Sequence, residues 1–214
     1  SVILSYDKKD LDMDSNYTFR TESKLKRSPK FAFVKGPVWN SGEEDMKKAI
    51  KQYVNDSYLD ITSIEFGDDF TEAAKCHEII MNGSISKSLA NYYETNKPML
   101  HPFTLNRIEA GMSVSAESYI EAIEKAKKMK QALSEIFEKF DAIITPAAPG
   151  QAPRDLMNTG NAIFNGYWTM LGVPAISLPL LKGKDDLPIG VQIITSWNKE
   201  AELLDISNII LSQT

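Results

Sequence analysis

The stretch Asn165-Gly166-Tyr167-Trp168-Thr169-Met170-Leu171-Gly172-Val173-Pro174-Ala175-Ile176-Ser177-Leu178-Pro179-Leu180 changes periodicity midway, and that change decides the class of fold. Phe164, Trp168 and Leu171 recur at spacings of four and three, the repeat of one helical face. This predicts a helix over residues 158–171. Residues 174–180 are apolar at nearly every position and read as a strand, as do residues 189–195. Between these two lies Lys182-Gly183-Lys184-Asp185-Asp186, a polar link short enough for an antiparallel pair. Strands this apolar are expected to be buried on both faces and to need cover on both sides.

Working outward, Asp141-Ala142-Ile143-Ile144-Thr145 reads as another buried strand, stopped by Pro146 and Pro149. The clearest helix precedes it, over residues 115–140. Tyr119, Ile123, Ala126, Met129, Leu133, Ile136 and Phe140 form one apolar stripe, with Glu121 one turn from Lys125 on the solvent side. Further upstream, Phe31-Ala32-Phe33-Val34 opens a strand, and residues 61–66 read as a second. Ser41 and Glu44 stand at capping-box spacing before an apolar repeat through Met46, Ile50 and Val54. A helical stretch is expected over residues 70–93, and Asn198 is placed to cap a last helix. Residues 1–30 are polar and without period, an irregular arm or linker. Strands alternating with helices predict an α/β fold, a mixed β-sheet covered by helices.

The chain has 214 residues, with 43% hydrophobic, 25% charged and a formal net charge of −5. Interspersed charges of both signs give no basic face for phosphates, so no nucleic-acid partner is expected. No apolar run approaches the roughly 20 residues that span a bilayer, and no membrane partner is expected. A single cysteine, Cys76, and a start without a signal-peptide pattern fit a cytoplasmic protein.

The residues offer few routes to chemistry. The two histidines, His77 and His101, belong to no spaced ligand motif, so no metal site is expected. A Ser-His-Asp or Cys-His enzyme is disfavoured by the same shortage, and there is no Gly-x-Ser-x-Gly elbow. Serine–lysine spacing recurs at Ser5–Lys8, Ser23–Lys26 and Ser84–Lys87, too freely to be specific. Only Ser84 falls in an expected helix.

Three ordered segments carry a family resemblance. Phe140-Asp141-Ala142-Ile143-Ile144-Thr145-Pro146 resembles the Tyr/Phe-Asp-x-x-x-x-Pro strand end of amidase-signature enzymes. The stretch from Asn165 to Pro179 is similar to their Phe-Asn-x-x-Trp helix and Leu-Gly-x-Pro-Ala-x-Ser-x-Pro strand, and Leu187-Pro188-Ile189-Gly190-Val191-Gln192 to their Leu-Pro-x-Gly-Val-Gln strand. Upstream, residues 31–39, Tyr119 with Ala122, and Tyr6-Asp7-Lys8-Lys9-Asp10 fit with falling specificity.

The resemblance implies the C-terminal part of the amidase-signature fold, with the arm over 1–30 and the amidase part over 31–214. It implies a parent that hydrolyses small carboxylic amides through an acyl-enzyme, using a Ser nucleophile, a second Ser held by a cis peptide bond and a Lys base. In the family all of these lie ahead of the matched region, the nucleophile in a Gly/Ser-rich segment. No Gly-Gly pair occurs here, so no catalytic residue is carried over. The chain alone is therefore expected to be inactive. Its expected partners are the missing N-terminal catalytic half and a small-molecule amide substrate, with no cofactor. The resemblance assigns substrate binding to Thr145, Pro146, Ala147, Phe164, Asn165 and Trp168, of which Phe164 and Trp168 also read as the packed face of a helix. Gln192, in an apolar strand, reads as a buried polar side chain in need of a hydrogen-bond partner. Two other readings stay open: a natural non-catalytic binding or regulatory partner that self-associates through an exposed sheet face, and a subunit of a split amidase or amidotransferase.

Overall fold

The computed structural model describes residues 9, 23 and 25–213. Most of the arm expected over 1–30, the segment 6–10 apart from Lys9, and the Ser5–Lys8 pair lie outside the described residues. Five strands form one mixed sheet in the order β2-β1-β3-β5-β4. These are β1 (Lys30–Val34), β2 (Asp60–Ile64), β3 (Ala142–Pro146), β4 (Ala175–Lys182) and β5 (Pro188–Thr195). β1 pairs in parallel with β2 and β3, while β5 runs antiparallel to both β3 and β4. The hairpin expected from the polar link at 182–186 is therefore formed.

Among the described residues seven α-helices accompany the sheet: α1 (Glu44–Asp56), α2 (Ala73–Ser88), α3 (Ala90–Asn96), α4 (Pro102–Met112), α5 (Ala116–Phe137), α6 (Ile163–Leu171) and α7 (Glu200–Leu211). Every residue of β3 is buried, which requires cover on both faces because neighbouring side chains point oppositely. α7 packs on β5 and β4, and α2 lies against α4, α5 and α6. In α5 the buried line is Ala126, Met129 and Leu133 of the expected stripe together with Ala122, which takes the place expected for Ile123, while Tyr119, Ile123 and Ile136 are half-buried. Ser115 caps this helix, its hydroxyl accepting from the Ser118 amide at 3.1 Å. Glu121 and Lys125 pair at 2.9 Å as their spacing predicts.

Several local expectations are corrected. The residue preceding α1 is Glu43, not Ser41, which sits in a 3-10 turn; the Glu43 amide donates to the Pro149 carbonyl at 2.7 Å. That long-range bond replaces a local cap. α7 is entered from Lys199, while Asn198 takes a positive φ of 59°. The helix expected over 70–93 breaks at Leu89 into α2 and α3. α6 begins at Ile163, because Asn158 and Asn161 turn their side chains onto the amides of Gly160 and Ile163. Asn competes in this way with helical backbone pairing. Burial on both faces holds for β5 but not for β4, where only Leu178 is buried and Ala175, Ser177 and Pro179 are exposed. β4 is an edge strand, so half of its apolar character faces outward.

The described end of the arm is fastened to the sheet. Arg27 grips Asp141 with two bonds of 2.7 and 2.9 Å, and the Lys30 amide donates to the same carboxylate at 2.8 Å. Asp141, the acid of the first quoted segment, thus ties the entry of β1 to the entry of β3.

Candidate substrate cleft

Beyond the end of β3 the chain turns through Ala147, Ala148, Pro149 and Gly150. The Ala147 amide donates to the Gly190 carbonyl of β5 at 3.0 Å, and the Ala152 amide to Pro188 at 2.9 Å. Those bonds hold the turn along one wall of a cavity of about 530 Å³. Asn161, Asn165, Ser177 and Gly190 also line it. Gly190 is required here, since a Cβ would fall 2.5 Å from the Ser177 hydroxyl and 2.9 Å from the Ala147 methyl. Among the described residues Glu43 is the one charged group lining this cavity.

A second cavity, of about 890 Å³, lies on the far side of the segment 159–163 and is lined by His77, Met81, Phe103 and Arg107. The two share Thr159, Gly160, Asn161, Ala162 and Asn165 as a common wall. Arg107 donates to the Asn82 side chain at 3.1 Å, stands 3.6 Å from Glu78, and lies over the Phe103 ring. Burial pushes the His77 imidazole below its usual range, with Arg107 adding to the effect, so it is neutral at neutral pH.

The structure separates the six residues assigned to substrate binding. Ala147 and Asn165 line the first cavity, and Asn165 lines both. Pro146 ends β3 inside the sheet. Phe164 and Trp168 are fully buried, Trp168 meeting Phe66 and Tyr167 ring to ring. Thr145 is also fully buried, and its hydroxyl has no hydrogen-bond partner among the described residues. The Tyr167 phenol lies beside Thr145 and Trp168, yet none of the three polar groups makes a well-formed bond. Burial raises the Tyr167 phenol far above its usual range.

Sequence reasoning missed Glu43, Gln151, His77 and Arg107, whose places on cavity walls come from distant segments meeting. Ser177 could have been found, as the one polar residue between Ala175 and Leu178. Gln192 is buried as expected, and its side-chain nitrogen donates to Asn165 at 2.9 Å.

Of the serine–lysine pairs, Ser84 is exposed beside the Tyr119 hydroxyl at 3.1 Å, and Lys87 is exposed. A further pair, Ser196–Lys199, has its lysine held in an ion pair with Glu202 at 3.0 Å. The first cavity holds Ser177 with no lysine or histidine among its lining residues, and the second holds Lys75 and His77 with no serine. No group of three His, Cys, Asp or Glu side chains could hold a metal ion among the described residues. No described helix is long and apolar enough to cross a membrane. The first cavity offers the polar side chains of Asn161, Asn165 and Ser177, and the second sets the apolar Met81 and Phe103 beside Arg107.

Comparison with known proteins follows the same line. The family model described as Amidase matches residues 1–204. The chain is 31% identical over 108 residues to a glutamyl-tRNA(Gln) amidotransferase subunit of Wolbachia sp. subsp. Drosophila simulans (strain wRi), covering 46% of this chain and 22% of that protein. It is 34% identical over 110 residues to the corresponding protein of Aliarcobacter butzleri (strain RM4018), covering 46% of this chain and 24% of that protein. Among solved structures it superposes on an amidase with a TM-score of 0.77 at 16% identity, over 91% of this chain and 47% of that one. A 6-aminohexanoate cyclic dimer hydrolase complexed with substrate gives a TM-score of 0.69 at 16% identity, over 89% of this chain and 46% of that one. The matched region thus spans less than a quarter of these curated relatives, and the chain under half of these solved structures.

Proposed function

The chain belongs to the amidase family, and on that premise we propose that it forms the substrate-binding wall of an enzyme that hydrolyses small carboxylic amides. In this reading the amide carbon is attacked by a serine outside this chain, with a second serine and a lysine base moving the proton to the departing amine. The acyl-enzyme so formed is then released by water. This chain contributes the turn at Ala147 and the side chain of Asn165, with Thr145 and Pro146 behind the turn and Phe164 and Trp168 anchoring α6. The observation that carries the reading is the extent of the family match, which takes in all five strands and enters α7.

The test is direct. The 214-residue chain, incubated with a panel of short aliphatic amides, is expected to release no ammonia and to take up no serine-directed fluorophosphonate. Labelling that disappears in a Ser84→Ala variant would place the nucleophile in this chain and end the proposal. Hydrolysis restored by adding a matching N-terminal half would support it.

A second reading draws on the glutamyl-tRNA(Gln) amidotransferase relatives, whose identity exceeds that of the solved structures quoted above. Here the chain belongs to one subunit of an amidotransferase or split amidase and works only in an assembly. Ammonia released from glutamine in preference to simple aliphatic amides, by the completed protein, favours this reading.

A further inference from the structure

Two side chains and a backbone carbonyl form a directed relay that ends at the cavity wall. Asn165 donates through Nδ2 to the Ala147 carbonyl at 3.2 Å, and its Oδ1 accepts from Gln192 Nε2 at 2.9 Å. The direction is fixed by chemistry. A backbone carbonyl can only accept, so the amide nitrogen of Asn165 must face Ala147 and its oxygen must face Gln192. That oxygen can likewise only accept, so Gln192 must present its nitrogen. The consequence for Gln192 is unfavourable: its Oε1 is left buried and without a partner among the described residues. A leucine or methionine in β5 would leave no such atom.

The gain lies at the other end. Of the two Asn165 amide protons, one is committed to Ala147, and the other has no protein acceptor among the described residues. Asn165 is half-buried on the wall that both cavities share. Reversing its amide would aim an oxygen at the Ala147 carbonyl, two acceptors face to face.

We propose that Gln192 is a positioning residue, which through Asn165 sets an N–H donor into the cleft to hold the carbonyl oxygen of the substrate's acyl group. This rests on the reading of the cleft as a substrate wall. Gln192 touches no substrate; the Ala147 carbonyl sets which end of the Asn165 amide it meets, and Gln192 holds the other end in place.

The experiment uses the 15N-labelled 214-residue chain titrated with hexanamide, observing the Asn165 side-chain amide pair, assigned by its loss in Asn165→Asp. Hexanamide is expected to shift that pair. Gln192→Leu and Gln192→Met, neither able to donate, are expected to weaken the through-space contact between the Asn165 amide protons and Ala147. Both should weaken hexanamide binding about tenfold, the upper range for one hydrogen bond, with the backbone resonances of β3 and β5 unmoved. If hexanamide shifts residues 147–153 but leaves the Asn165 pair in place, this proposal fails and the cleft reading stands. If it shifts neither, both fail. Retention of the Ala147 contact and of full affinity in the two Gln192 variants also overturns it.

Discussion

At the scale of single residues, α6 contains two aromatic neighbours whose polar atoms are equally unpaired but whose loss has opposite consequences. The Tyr167 hydroxyl and the Trp168 indole nitrogen are both buried without a hydrogen-bond partner among the described residues. Removing an unsatisfied buried hydroxyl while keeping the ring restores nothing to water and leaves no partner stranded. Tyr167→Phe is therefore expected to change stability by no more than about 1 kcal/mol, and in the stabilising direction. Trp168→Ala empties a space bounded by Phe66 and Tyr167 and should cost about 3–5 kcal/mol, the range for a large buried aromatic. Urea unfolding of both variants checks the contrast. A loss above about 2 kcal/mol in Tyr167→Phe would mean that the phenol is bonded in solution. The same reasoning explains why Trp168, assigned to substrate binding from its motif, belongs to the core.

At the scale of elements, the contact of α2 with α4 is set by a glycine. A Cβ on Gly111 would fall 2.0 Å from the Asn82 carbonyl oxygen, a backbone atom that cannot rotate aside. Gly111→Ala must push the two helices apart and should cost about 1–3 kcal/mol, as overpacking does. Gly67→Ala, with nothing within 4 Å of the added methyl, serves as the control and should stay within about 0.5 kcal/mol. Equal thermal midpoints for the two variants would contradict the close approach. α4 was also the helix not legible in the sequence. Its apolar residues follow no clean stripe because it packs on another helix rather than the sheet, leaving Phe103 and Met112 exposed. By contrast α5, β3 and the β4–β5 hairpin were legible, since each has one dominant burial requirement that imposes its period. Caps were read less well: the Ser41 and Asn198 signals are local, and at both places a longer-range bond or a positive φ decides the boundary. Ala147 and Asn165, named from their motifs, line the first cavity, while Glu43 there and His77 and Arg107 in the second carry no local signal. Nothing in a linear pattern brings α1, α2 and α4 to the same loop.

At the scale of the whole molecule, the order of strands leaves β2 and β4 at the edges of the sheet. β2 is short, whereas β4 runs for eight residues with Ala175 and Ser177 exposed. Two features blunt its edge: Pro179 has no N–H to offer, and the register shifts between Leu178 and Leu181. Neither protects its first half. There a groove of about 440 Å³ runs between β4 and α7, lined by Val173, Ile176, Leu203 and Leu204, with Leu204 half-exposed and Glu200 the one charged group along it among the described residues. Apolar surface beside an unpaired strand edge favours association, and charge placed there opposes it. The isolated chain is expected to self-associate with rising concentration in sedimentation velocity runs and to bind an apolar-surface dye. Leu204→Glu should shift it towards monomer and reduce dye binding without lowering the thermal midpoint, because the side chain already stands half in water. A chain that sediments as a monomer at every concentration and binds no dye would show that this edge needs no cover, and the expectation of self-association through an exposed sheet face would lose its physical basis.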